Sequence, residues 1–216
     1  MKCSEICALI EQEYGTEYAC DWDNVGLLAG RSTKEVKKIL LSLDATDEVV
    51  RMAAEGGYDM LITHHPMLFS AIKRVTDQDM NGRRLLELIR NDISYYAMHT
   101  NYDTRGMADL AARLMGLTEC AVLEEVKDGE GIGRVGKLPH PMTLRECGEQ
   151  VKVAYGIPNV RLFGNPDTQV SLVGICPGAG KSTMPLALGF GCDVYITGDI
   201  DHHTGIDAVD QGMCII

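Results

Sequence analysis

Short apolar runs of β type alternate along the chain with stretches of helical periodicity, a pattern that predicts an α/β fold. Ile6, Leu9 and Ile10 share one helical face, so residues 4–14 read as a first helix. Residues 38–43 (KILLSL) read as a strand. Thr46 is placed to cap the next helix, whose Val49, Val50 and Ala53 line one face, and Gly56-Gly57 can end it in the left-handed conformation. Residues 59–63 then form a second strand, Leu85, Leu86, Leu88 and Ile89 mark a helix, residues 93–98 a third strand, and residues 107–115 a helix stopped by Gly116. This βαβαβα order predicts parallel strands with right-handed crossovers, and therefore ligand residues along the edge where the strands end.

Residues 124–133 (EEVKDGEGIG) are acidic and Gly-rich and read as a linker. They divide the chain into an N-terminal α/β domain, 1–125, and a C-terminal α/β domain, 126–216. In the second, Thr143-Leu-Arg-Glu146 forms a capping box that opens a helix to about residue 154. Strands are expected at 160–163, 170–175, 193–197 and 213–216, with helices at 182–190 and about 205–210. No internal repeat of fixed period is evident.

Composition narrows the function. The 216 residues carry 20 Lys+Arg against 31 Asp+Glu, a formal charge of −11, and no basic run exceeds two residues. That is the wrong sign for tracking phosphates, so no nucleic-acid partner is expected. The longest apolar stretch falls far short of the ~20 residues that span a bilayer, and no signal peptide is recognisable, so neither membrane insertion nor secretion is expected and the location should be cytoplasmic. The eight cysteines are scattered, without a C-x-x-C pair, and read as reduced and mostly buried.

Candidate chemistry lies at strand ends. His64-His65 directly follow DMLIT and precede Pro66, which bars a helix from starting there. Alone, the pair reads as polar loop histidines. The next strand, however, ends in His99-Thr-Asn-Tyr-Asp103, and the ends of neighbouring strands lie about 5 to 10 Å apart. Adjacent strand-end residues point in different directions, so the pair can serve two neighbouring cations, with a carboxylate such as Asp103 between them. A third strand end, Thr197-Gly-Asp199-Ile-Asp201-His202-His203, repeats the form, and five of the six histidines fall in these loops. One shared site in the cleft between the halves is the expectation.

Two motifs mislead. Gly178-Ala-Gly-Lys-Ser-Thr183 resembles a phosphate loop but has Ile175 where the first glycine belongs. Gly131-Ile-Gly-Arg-Val-Gly136 matches a dinucleotide fingerprint but does not open a helix.

Together, Trp22-Asp-Asn-Val-Gly-Leu27, Ile62-Thr-His-His-Pro66, His99-Thr-Asn-Tyr-Asp103 and Ile196-Thr-Gly-Asp199 with His202-His203 resemble the Nif-three-like family, whose members are also called homologues of the type-two GTP cyclohydrolase I. The resemblance implies a two-domain α/β protomer, two divalent metal ions in the interdomain cleft and a toroidal homohexamer. By carry-over, His64, His65 and Asp103 are metal ligands, with Asp103 bridging. Asp23 and Asn24 line the cleft with Trp22, as do Asp199 and His202, and His99 and His203 lie near it. For Asp23-Asn24 a plain turn, and for Trp22 core packing, stay open as alternatives. Family members continue past the last strand into a His-x-x-x-Glu segment that this sequence does not contain, so a truncated product or an incomplete site is expected.

The leading functional reading is a metal-dependent hydrolase in which His99 or His203 shuttles protons; a GTP cyclohydrolase would attack the purine C8 and release formate. The competing reading is a non-enzymatic metal-binding or scaffold protein. The mixed His/carboxylate set suits Zn, Mn, Fe, Co or Ni.

Overall fold

A parallel sheet with helices on both faces needs strands whose two faces are both apolar, and β3 (Met60–Thr63) and β4 (Ser94–Ala97) are buried at every position. In the computed structural model, which describes residues 1–216, they lie at the centre of a four-stranded sheet. Its order is β1-β4-β3-β2, with β1 at Gly26–Ala29 and β2 at Ile39–Ser42. β2, β3 and β4 are parallel; β1 is antiparallel to β4 and was not foreseen. Side chains divide by the strand period of two. Leu61, Tyr95 and Ala97 pack under α2 (Asp47–Glu55) and α3 (Met80–Arg90) with Val50, Ala53, Leu85 and Leu88. Met60, Ile62 and Tyr96 face Cys3 and Cys7 of α1 (Cys3–Glu13). Thr46 caps α2 as expected, its side chain accepting from Val49 N–H, and Gly57 (φ 61°) takes the left-handed turn.

The chain separates into two compact units, Met1–Tyr102 and Asp103–Ile216. A single helical turn, α4 (Thr100–Tyr102), precedes a π-helical turn (Asp103–Met107) and α5 (Ala108–Leu114). The second unit holds a five-stranded sheet, β5-β6-β7-β8-β9, at Thr118–Lys127, Glu130–Thr143, Gln169–Ala179, Val194–Asp199 and Cys214–Ile215. β5, β6 and β7 are antiparallel, and β7, β8 and β9 parallel. α6 (Leu144–Tyr155) covers one face, and α7 (Met184–Gly189) with α8 (His202–Asp210) the other. The Thr143/Glu146 capping box is present.

Two expectations are corrected. Residues 124–133 are no linker: they belong to the β5–β6 hairpin, whose turn residues Asp128 and Gly129 both have positive φ (53° and 78°), the backbone demanded by a tight hairpin turn. The Gly131 and Gly133 of the dinucleotide-like motif lie in β6, and a Cβ on Gly131 would meet Glu124 O at 1.9 Å. Residues 160–163 form no strand beyond one bridge between Phe163 and Ile215. Val160 and Leu162 are apolar because they pack on the core, not because they pair.

The structure also shows a repeat that the sequence hides. The arrangement β2-α2-β3-α3-β4 recurs as β7-α7-β8-α8-β9, each a three-stranded parallel set. Asp59 and Asp193 immediately precede corresponding strands, in the segments DMLIT and DVYIT. Each carboxylate accepts from two successive N–H groups, Lys37 and Lys38 in one case and Ser171 and Leu172 in the other, at 2.8–3.0 Å. Gly57 and Gly191 (φ 74°) make the same turn before them. No helix is long and apolar enough to cross a membrane.

Candidate metal centre

Sheet register brings three histidines together. Thr63 pairs with Ala97, so β3 and β4 end level with each other, and Met98 N–H donates to Thr63 O at 3.0 Å. His64 and His65 N–H groups donate to Ser42 O (3.3 Å), on the last residue of β2, and to Leu43 O (3.0 Å) just past it. The loop is pinned from below by buried Tyr95. Its hydroxyl accepts from Met67 N–H at 2.7 Å and lies 2.9 Å from Thr63 Oγ1, whose own hydroxyl donates to His65 O at 2.8 Å.

His64, His65 and His99 each offer a ring nitrogen, and these atoms lie within 4.8 Å of one another. Each Nδ1 faces an acceptor: Met98 O at 3.0 Å for His64, Asp44 at 2.8 Å for His65, Asp23 at 3.0 Å for His99. An Nδ1 that donates leaves Nε2 as a bare lone pair, the form a transition metal takes. Burial, followed by the neighbouring charges of His99 and His65, pushes His64 down to about 4, so it is neutral at pH 7.

The buried Asp23 side chain is the best-satisfied anion of the group. It accepts from His99 Nδ1, Thr100 N–H (3.0 Å), Thr100 Oγ1 (2.6 Å) and Asn24 N–H (2.8 Å). Burial alone would raise its pKa, but the bonds from His99, Thr100 and Asn24 outweigh it and hold the carboxyl at about 2. Asn24 Nδ2 donates to Leu68 O, joining the two loops. Asp23-Asn24 is therefore more than a turn. Nor is Trp22 core packing: it is 63% exposed, its ring edge-on to His99 at 5.9 Å, with Phe69 edge-on at 5.8 Å.

Of the residues expected at a site, the structure gathers His64, His65 and His99, with Asp23 and Asn24 behind them. Asp103 is not part of the trio; it opens the π-helical turn in the second unit. Asp199 ends β8, and His202 and His203 open α8 as exposed neighbours with rings 5.7 Å apart. Asp201 caps that helix, accepting from Thr204 N–H and from Lys181 at 2.7 Å, which holds its carboxyl well below the usual range. In the phosphate-loop look-alike, Gly180 N–H is taken by Thr197 Oγ1. Sequence reasoning missed Asp44 and Tyr95. Asp44 stands just past β2 at the same sheet edge, a signal that could have been read.

The description Duf34/NIF3 (NGG1p interacting factor 3) belongs to a family model that matches residues 1–216. A Clostridium perfringens GTP cyclohydrolase 1 type 2 homolog is 34% identical over 220 residues, covering 100% of this chain and 84% of its own length. Among solved structures, the Bacillus cereus protein related to NIF3 superposes with a TM-score of 0.92 at 24% identity, over 100% of this chain and 87% of that one. The Staphylococcus aureus hypothetical protein SA1388 does so with a TM-score of 0.87 at 30% identity, over 100% and 84%.

Proposed function

This chain belongs to the Duf34/NIF3 family, and on that premise we propose that His64, His65 and His99 hold a divalent transition-metal ion serving a hydrolase of the GTP cyclohydrolase 1 type 2 kind. One observation carries the reading: the three imidazoles each offer a ring nitrogen within 4.8 Å of the others, and each Nδ1 has an acceptor beside it, which leaves Nε2 as the nitrogen for a metal. Imidazole nitrogens suit Zn, Fe, Co or Ni, whereas Mn favours oxygen ligands and would lean on a carboxylate. When bound, such an ion lowers the pKa of water towards neutrality and polarises the bond to be cut.

The chain's own residues do the positioning. Asp23 and Asp44 fix the tautomers of His99 and His65, and their negative charge raises the basicity of the nitrogens opposite. Tyr95 holds the backbone of the His64-His65 loop. His99, expected as a proton shuttle, is proposed instead as a ligand, which leaves His203 as the shuttle candidate. The second ion bridged by Asp103, the cleft position and the hexamer come from the family resemblance and are part of the proposal.

Elemental analysis of metal per chain, with formate release from GTP, tests it. The expected result is bound metal that is lost in His64→Ala, with formate release following metal content. Full metal without turnover would make the chain a metal-binding protein and not a hydrolase. Absence of metal under saturating supply would remove the reading.

A further inference from the structure

Two bulky aromatic side chains stand in water beside the histidine trio. Trp22 is 63% exposed and Phe69 50% exposed, and their ring centroids lie 5.9 and 5.8 Å from that of His99, with planes at 73° and 84° to it. Leaving such rings open forgoes the burial that their large apolar area offers.

The backbone that carries each ring is tied down. Trp22 sits in a turn closed by Asp23 N–H donating to Cys20 O at 2.9 Å. Cys20 N–H in turn donates to Thr100 Oγ1 at 2.9 Å, and the Asp23 carboxylate accepts from Thr100 N–H and Oγ1. Phe69 follows buried Met67 and Leu68; Met67 N–H donates to the Tyr95 hydroxyl, and Leu68 O accepts from Asn24 Nδ2. That last bond joins the two loops, so the same contacts that hold the trio hold both rings out beside it.

Aromatic faces favour flat, polarisable rings, and stacking on them tolerates many heterocycles because every base has a π-face. The charged side chains bonded to the trio are the carboxylates of Asp23 and Asp44, which offer a phosphate no cation and leave a neutral ring unopposed. We propose that Trp22 and Phe69 stack the planar heteroaromatic ring of the substrate and hold it beside the trio. They are specificity-determining residues, and the molecule acted upon carries a nucleobase-like ring at the reacting end, not a bare phosphoester. The assignment rests on the trio being a metal centre.

Trp22 is the sole tryptophan of the chain, so tryptophan emission reads this place alone. The full chain, metal-free and zinc-loaded, is titrated with guanosine, adenosine and uridine, and with inorganic tripolyphosphate as the ring-free control. Saturable quenching by at least one nucleoside is expected, with no response to tripolyphosphate. Phe69→Ala should weaken that nucleoside about 5- to 150-fold, the loss of one base–aromatic stack, and Phe69→Tyr should preserve its binding. Zinc affinity, from competition with a chelator, should be the same in both variants as in the unaltered chain, and circular dichroism should show the fold kept. Quenching by none of the nucleosides, an equal response to tripolyphosphate, or Phe69→Ala binding as tightly as the unaltered chain would each overturn the proposal. A chain that binds zinc but no nucleoside keeps the metal centre and loses the stacking rings; one that binds a nucleoside but no zinc does the reverse.

Discussion

Replacing Asp23 with Asn changes one oxygen of a buried side chain into a donor while four donor groups still point at it. At least one of them loses its acceptor, which costs about 1–3 kcal/mol. The titration of the carboxyl gives a second measure. A fall from 3.8 to about 2 corresponds to about 2 kcal/mol of native-state stability at neutral pH. The folded value lies below the unfolded one, so this stabilisation is complete above the unfolded pKa and is lost as pH falls through about 2. Urea melts of metal-free protein should therefore separate wild type from Asp23→Asn at pH 7 and bring them together near pH 2. Losing the partner of a ligating histidine also weakens metal binding, by about 10- to 100-fold, or about 1.4–2.7 kcal/mol. Zinc competition against a chromophoric chelator reads that factor. If Asp23→Asn binds zinc within about twofold of wild type, a change worth about 0.4 kcal/mol, Asp23 does not orient His99 and the argument fails.

Tyr95→Phe leaves buried Met67 N–H without its acceptor and should cost about 1–3 kcal/mol, with weaker zinc binding as the His64-His65 loop loosens; equal zinc affinity would detach the loop from the site. Thr143→Ala removes the α6 cap and should cost about 1 kcal/mol while leaving zinc affinity unchanged, which separates stability from site geometry. Thiol titration of the native chain should modify exposed Cys120 ahead of the six buried cysteines. Among the buried ones, burial pushes Cys147 up to about 11 and Cys192 up to about 12; rapid labelling of either, located by mass spectrometry, would contradict the core described above.

Legibility in the sequence followed how local the cause was. Helices with caps and faces, such as α2 and α6, were readable because Thr46, Thr143 and Glu146 act within one turn. The parallel order of β2, β3 and β4, and with it the strand-end position of His64, His65 and His99, followed from the βαβ alternation. The β5–β6 hairpin was missed because acidic and glycine residues looked like a linker, although Asp128-Gly129 is itself a hairpin signal. What holds the histidines was harder to foresee. Asp23, Asp44 and Met98 O reach them from separate segments, and a backbone carbonyl leaves no mark in composition. The duplicated βαβαβ was hidden because what recurs is a backbone task, an aspartate receiving two N–H groups after a left-handed glycine, and few other side chains recur with it.

Long-range proton–nitrogen correlation spectra of nitrogen-15-labelled protein, recorded without and with zinc, report the protonation of each histidine nitrogen directly. With zinc bound, His64, His65 and His99 should each carry a proton on Nδ1 and none on Nε2, and the three Nε2 resonances should shift together while His140 stays unmoved. A protonated Nε2 on any of the three, or zinc shifts confined to other histidines, would contradict a metal centre built on this trio.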